Sequence, residues 1–321
     1  MPTSCVSMSP SDRFSPLTRA LLDNIRRAGL PPLHTLPLAA ARQAYAAGVG
    51  AMSEPGPALG RVERLGIPGP AGQIPAMLWA PRTEAGLPVL LYLHGGGFVI
   101  GGLDTCEAMC RRVAQLADVA VVAIDYRLAP EHRFPAALED SMAALRWLAD
   151  HGHTLGLDTR RMAVAGDSAG GCLAASTALM ARDAGIPLRL QALFYPTVQA
   201  RQATESFKTW SRDTPLSAEL MAWFQAQSAA PLPPDQAWFR EPLFAPDHTG
   251  VAPAWIGLAE CDPLTDEGQL YADRLRSAGV PVQVRVWPGV LHDFINMGRF
   301  IPEAGQAHAE LAAAVRQAFA I

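Results

Sequence analysis

A chain of 321 residues, half apolar and 17% charged, is long enough for one large α/β domain with additions and too apolar to stay disordered. Its formal net charge is −4, and no run of Lys or Arg appears, which argues against a nucleic-acid partner. No stretch reaches about 18 uninterrupted apolar residues, so no stable membrane insertion is expected.

The opening stretch MPTSCVSMSPSDRF lacks the basic segment and apolar core of a secretory leader, so a cytoplasmic location is expected. The cysteines, Cys5, Cys106, Cys110, Cys172 and Cys261, are odd in number and scattered, fitting neither a disulfide framework nor a zinc pattern. Cys106 and Cys110 stand one helical turn apart and read as packed thiols. Residues 1–55 are helix-like, with helically spaced apolar positions in LTRALLDNIRRAGL, and are broken by prolines. From Arg61 short β-type runs follow: RVERLGI, IPAMLWA and PVLLYLH.

Strands and helices then alternate. Helices are predicted over 106–117, 134–148 (Pro135 in its first turn), 169–184, 266–277 and 303–320. Strands are predicted over 120–124, 162–165, 190–195, 254–259 and 282–287. This alternation implies an α/β fold: a mostly parallel central sheet flanked by helices, with the first two runs as an antiparallel edge. Residues 196–251 do not alternate and hold Phe207, Trp210, Trp223 and Phe224 among prolines. They read as a cap insertion, packed with the helical segment 1–55, in a core of 56–195 and 252–321.

Gly166-Asp167-Ser168-Ala169-Gly170 follows the run MAVA and opens a helix. G-x-S-x-G at a strand-to-helix turn raises a serine hydroxyl above the sheet, at a helix N-terminus that favours negative charge. A serine attacking an ester carbonyl needs N–H donors aimed at the forming oxyanion. The run HGGGF at 94–98, directly after an apolar strand, supplies bare backbone there. Gly96 and Gly97, with Ala169 after the serine, are the expected oxyanion donors. One such donor contributes on the order of 3 kcal/mol to the transition state, more than a glycine costs in folding. A dinucleotide-binding reading of 94–102 lacks G-x-G-x-x-G in register with a helix.

With HGGGF, DYRLAPEHRFPAALED (125–140), GDSAGG and DPLTDEG (262–268), the chain resembles the bacterial hormone-sensitive-lipase-like carboxylesterases of the α/β-hydrolase fold. The resemblance covers the chain from Arg61 onward. It implies a serine carboxylesterase acting on short- to medium-chain acyl esters, with no metal or organic cofactor and dimerisation common among relatives. The order Ser, acid, His leaves three downstream histidines. His308 lies in the closing helix and reads as a surface residue, and His248 sits in a Pro/Asp-rich loop. His292 follows VQVRVW and a Pro-Gly turn at a strand's carboxyl end, and is the expected base. Asp262, just past AWIGLAE, is the expected acid, while Asp266 and Glu267 read as N-terminal charges of the next helix.

The family usually has His-Gly-Phe where this chain has His292-Asp293-Phe294. Asp293 either raises the pKa of the base or faces solvent. His94, Asp125-Tyr126-Arg127 and Glu131 read as loop scaffolding. Phe98, Phe207, Trp210, Leu216, Trp223 and Phe224 are the candidate substrate pocket. Two alternatives remain: amide hydrolysis by the same residues, and a non-catalytic ligand-binding protein on this scaffold, against which His292 argues.

Overall fold

The computed structural model of the chain describes residues 10–320 apart from 202 and 213, so Cys5 and the first nine residues of the leader question lie outside it. Among the described residues there are eight strands: β1 (Arg61–Gly69), β2 (Gly72–Ala80), β3 (Leu87–Leu93), β4 (Ala120–Ile124), β5 (Leu157–Asp167), β6 (Gln191–Phe194), β7 (Ala254–Cys261) and β8 (Val282–Leu291). They form one sheet in the order β1-β2-β4-β3-β5-β6-β7-β8. Only the edge is antiparallel: β1 pairs with β2 through a hairpin that sets Gly69 opposite Gly72, and β2 runs against β4.

The helices are α1 (Pro16–Ala28), α2 (Leu38–Met52), α3 (Leu103–Ala117), α4 (Ala136–His151), α5 (Ala169–Asp183), α6 (Glu205–Trp210), α7 (Ala218–Ser228), α8 (Thr265–Ser277) and α9 (Glu303–Phe319). The period-2 alternation of side chains along the buried strands sorts them onto two cores. Val89, Leu91, Leu93, Val122 and Val164 pack with α4, α5 and α8 on one face. Leu90, Tyr92, Val121, Ala163 and Ala165 pack with α1, α3 and α9 on the other.

The chain leaves β3 through α3 to reach β4, then crosses back to place β5 on the opposite side of β3. Since α3 and α5 lie on opposite faces, the connections leaving the carboxyl ends of β3 and β5 diverge. Such a switch point opens a crevice at the strand ends. HGGGF leaves one of these ends and GDSAGG the other.

Three local expectations need correction. Pro135 is the residue before α4 rather than inside its first turn. Pro288-Gly289 does not end a strand: β8 runs on to Leu291, with an irregularity against β7 between Ala259 and Cys261. Gly289 takes φ 69°, its N–H donating to Glu260 Oε2 at 2.7 Å and its carbonyl accepting from Ser15 N at 2.9 Å. Finally, His308 is buried, not on the surface. Burial, with the nearby Arg112 cation, lowers its pKa to about 3. Cys106, Cys110, Cys172 and Cys261 are free and buried.

Candidate active site

Ser168 stands between β5 and α5 at φ 54° and ψ −118°, a strained angle for a residue with a Cβ. The surrounding glycines make room for it. A Cβ on Gly166 would collide with the Gly170 carbonyl and come within 2.7 Å of the Leu93 carbonyl oxygen. One on Gly170 would collide with the carbonyls of Leu93 and His94, so β3 and α5 approach this closely only without side chains.

His292 follows β8 directly. Its Nδ1 lies 2.7 Å from Asp262 Oδ2, and its Nε2 lies 3.0 Å from Ser168 Oγ. A carboxylate only accepts, so Nδ1 carries the proton and Nε2 is left to accept from the serine hydroxyl. Asp262 is fully buried, and its Oδ1 accepts from Leu264 N at 2.8 Å. The register irregularity between β7 and β8 lies where the two strand ends bring these residues together.

Behind the serine, Asp167 ties the two motifs together. Its Oδ1 accepts from Gly95 N at 3.0 Å and from Tyr92 Oη at 2.5 Å. His94 is buried with Nδ1 2.8 Å from its neighbour Gly95 O, and stacks on Tyr126 with centroids 4.2 Å apart. Tyr126 Oη donates to His94 O at 2.7 Å, Asp125 Oδ1 accepts from Leu103 N at 2.9 Å, and Arg127 pairs with Asp140. Gly96 and Gly97 take φ 114° and 60°. Among the described residues, none accepts a hydrogen bond from the backbone N–H of Gly96, Gly97 or Ala169. Three donors beside the serine are thus unspent.

Burial pulls the His292 pKa down, but the Asp262 carboxylate, helped by Asp293 and Asp167, leaves it raised overall. Asp293 is turned inward: it takes φ 68°, and accepts from Asn296 Nδ2 at 2.6 Å and from Tyr45 Oη at 3.2 Å. Burial and the Asp167 charge push its pKa to about 6. Tyr45 comes from α2, so an N-terminal helix reaches the neighbour of the histidine. Arg42 of that helix donates to the carbonyls of Val99 (2.9 Å) and Ala129 (2.9 Å) and forks onto Glu131.

A cavity of about 600 Å³, its open mouth included, opens on Ser168 and Ala169. Of the predicted pocket residues, Phe98, Leu216 and Phe224 line it, beside the expected oxyanion donors Gly97 and Ala169. Trp223 packs beside Phe224, their centroids 5.4 Å apart, in an apolar cluster with Leu33. Trp210 is elsewhere: it packs on Phe14 and under Arg13, on a short helix held to the start of α8 by Ser206 and Asp266. Phe207, on the same short helix, is likewise not part of the cavity wall.

Sequence reasoning missed Arg42, Tyr45, Asp167, Met221, Gln225 and Arg240, whose roles arise from residues far apart in the chain. Asp167 alone carried a signal, as the variable position inside G-x-S-x-G. Glu267 is more than a first-turn charge: it is buried, accepts from Val198 N at 2.8 Å, and burial pushes its pKa to about 8. Among the described residues, no group of three or more His, Cys, Asp or Glu could hold a metal ion, and no helix is long and apolar enough to cross a membrane.

Residues 90–296 match the family model described as alpha/beta hydrolase fold. The chain is 42% identical over 256 residues to the esterase LipI of Mycobacterium tuberculosis, covering 77% of this chain and 79% of that one. It is 42% identical over 252 residues to the ethyl acetate hydrolase of Pseudomonas putida, covering 76% and 78%. Among solved structures, an ester hydrolase from the metagenome of Lake Arreo superimposes with a TM-score of 0.92 at 38% identity, over 96% of this chain and all (100%) of that one.

Proposed function

The chain belongs to the α/β-hydrolase fold family, in its hormone-sensitive-lipase-like branch, and is a carboxylic ester hydrolase; we propose that it cleaves short- to medium-chain acyl esters through Ser168, His292 and Asp262. The observation that carries this reading is the unbroken run of hydrogen bonds from Ser168 Oγ through His292 to Asp262.

Ser168 attacks the ester carbonyl as His292 Nε2 takes the hydroxyl proton. Asp262 holds the ring in the tautomer that leaves Nε2 free and stabilises the imidazolium. The N–H groups of Gly96, Gly97 and Ala169 receive the oxyanion. His292 then returns the proton to the leaving alcohol, and a water deprotonated by the same ring releases the acid. The N-terminal helices and the insertion 196–251 act as a cap, whose Leu216, Met221 and Phe224 bound the acyl space. The name of the Pseudomonas putida relative, ethyl acetate hydrolase, supports short acyl chains.

The test is hydrolysis of p-nitrophenyl esters from acetate to palmitate by the wild type and by Ser168→Ala. Loss of at least about 10³-fold in kcat is expected in the variant, as for removal of a triad member. Activity should fall off beyond medium chains. Equal rates in the two proteins would end the serine reading, and a palmitate optimum would end the chain-length reading.

A further inference from the structure

One cationic side chain stands in the cavity wall with Ser168 and Ala169. Arg240 leaves the 3-10 turn Pro234–Phe239 and lines the space together with Thr197, Gln199 and Gln225. Its guanidinium lies over the rings of Phe98 and Phe134, 5.5 and 5.9 Å from their centroids. Nη2 donates to Ser228 Oγ at 2.9 Å. Nη1 is buried and has no hydrogen-bond partner among the described residues.

Other partly buried arginines of this chain are neutralised. Arg42 pairs with Glu131, Arg127 with Asp140, and Arg182 with Asp183. The carboxylate next to Arg240 in sequence is engaged elsewhere, Glu241 Oε1 accepting from Ala200 N at 2.8 Å. A guanidinium carries five N–H donors in a planar fork and stays charged at neutral pH. Burying it with so few partners is expensive, and aromatic faces return only part of that cost. A free carboxylate elsewhere on the ester substrate would supply what the protein does not: a planar, anionic acceptor.

We propose that Arg240 selects esters that carry a free carboxylate, pairing with it while the ester carbonyl faces Ser168. This rests on the esterase reading of that serine. The hydrolysis is unchanged in kind: the bond from carbonyl carbon to alkoxy oxygen breaks, and water supplies hydroxyl to the carbonyl and a proton to the leaving alkoxide. Arg240 adds no chemical step. It fixes one end of the molecule, so orientation at the other end is bought with binding energy remote from the reacting carbon.

Two probe sets test this. The monoethyl esters of succinic, glutaric and adipic acids carry the carboxylate on the acyl side, and the acetyl esters of glycolic and 3-hydroxypropionic acids carry it on the alcohol side. Each is compared with its partner bearing a neutral carboxamide in place of the carboxylate. The wild type is expected to prefer the carboxylate partner by about tenfold or more in kcat/KM in one of the two sets, which also locates the side. Arg240→Gln should bring that ratio close to unity, and Arg240→Lys should keep part of it. The ratio is internal to each protein, so a general loss of stability or rate does not mimic the effect. Succinate or glutarate should also inhibit wild-type cleavage of p-nitrophenyl acetate more strongly than the corresponding diamides.

A wild-type ratio at or below one in both sets, or a ratio unchanged in Arg240→Gln, overturns the proposal and leaves Arg240 as a brace between the insertion and Phe98. No cleavage of p-nitrophenyl acetate by the wild type would instead fail the esterase reading, and this inference with it.

Discussion

At the scale of single residues, Asp293 stands where the pattern this sequence resembles has glycine. Besides Ser168 on Nε2, four groups face His292: Asp262 on Nδ1, Asp167 behind the serine, Asp293 next in sequence, and the Tyr195 ring 4.5 Å away. Tyr45 approaches through Asp293. A negative charge near a base favours its protonated form, so Asp293 raises the pKa of His292. In the proposed mechanism His292 must be neutral to accept the serine proton, so its protonation would set the acid limb of kcat/KM. In Asp293→Asn that limb is expected to move to lower pH, with the alkaline side unaffected, in a pH–rate profile from about 4 to 9. A limb that stays in place would show that the Asp293 charge does not reach the ring. The motif showed that a carboxylate stood here, but not which way it faced. That depended on φ 68° and on two partners, Tyr45 and Asn296, which sequence spacing does not reveal.

At the scale of elements, α8 is fastened to the loop after β6 by Glu267, whose Oε1 accepts from Val198 N. Its folded pKa of about 8 lies above the usual 4.5, so the folded chain holds a proton that the unfolded chain releases across that window. Stability therefore declines as pH rises from about 4.5 to about 8, because the unfolded state binds fewer protons there. Glu267→Gln keeps an acceptor for Val198 and removes the titration. Urea midpoints across pH 5 to 9 should give a flatter profile for the variant, with its relative advantage largest at the alkaline end. A parallel pair of profiles would refute the assignment. His308 in α9 works in the opposite direction: its pKa of about 3 against an ordinary 6.5 takes stability away as pH falls below about 6.5. Element positions were largely legible, since β4 falls at Ala120–Ile124 as the run AVVAI predicts and α5 begins at Ala169 as the turn requires. The misjudged end of β8 came from reading Pro-Gly as a stop. An irregular strand accommodates both residues because Glu260 and Ser15 satisfy the Gly289 backbone.

At the scale of the whole molecule, one arginine joins three distant regions. Arg42 of α2 holds the carbonyls of Val99 and Ala129 and the carboxylate of Glu131, fastening an N-terminal helix to the loop that carries Gly96 and Gly97. Removing it leaves partly buried carbonyls unpaired, at a cost on the order of 2 kcal/mol. Arg42→Ala should unfold at lower temperature and, assayed well below that temperature, show a reduced kcat for p-nitrophenyl acetate. Arg42→Lys should not restore it, since a point charge does not reproduce the fork. Wild-type kcat in Arg42→Ala would show that the glycine loop keeps its shape without the helix. What the sequence determined by itself is the local architecture: a strand-to-helix serine and a glycine run after an earlier strand. Backbone strain and close approach confine such turns to particular residues, so they leave a written pattern. What only the tertiary structure decided is which side chains converge from afar: Trp210 away from the cavity, Asp293 turned inward, Arg42 and Tyr45 on the site, and Arg240 in its wall. Those contacts depend on helix orientation across the sheet and on rotamers set by packing, and neither has a period in the sequence.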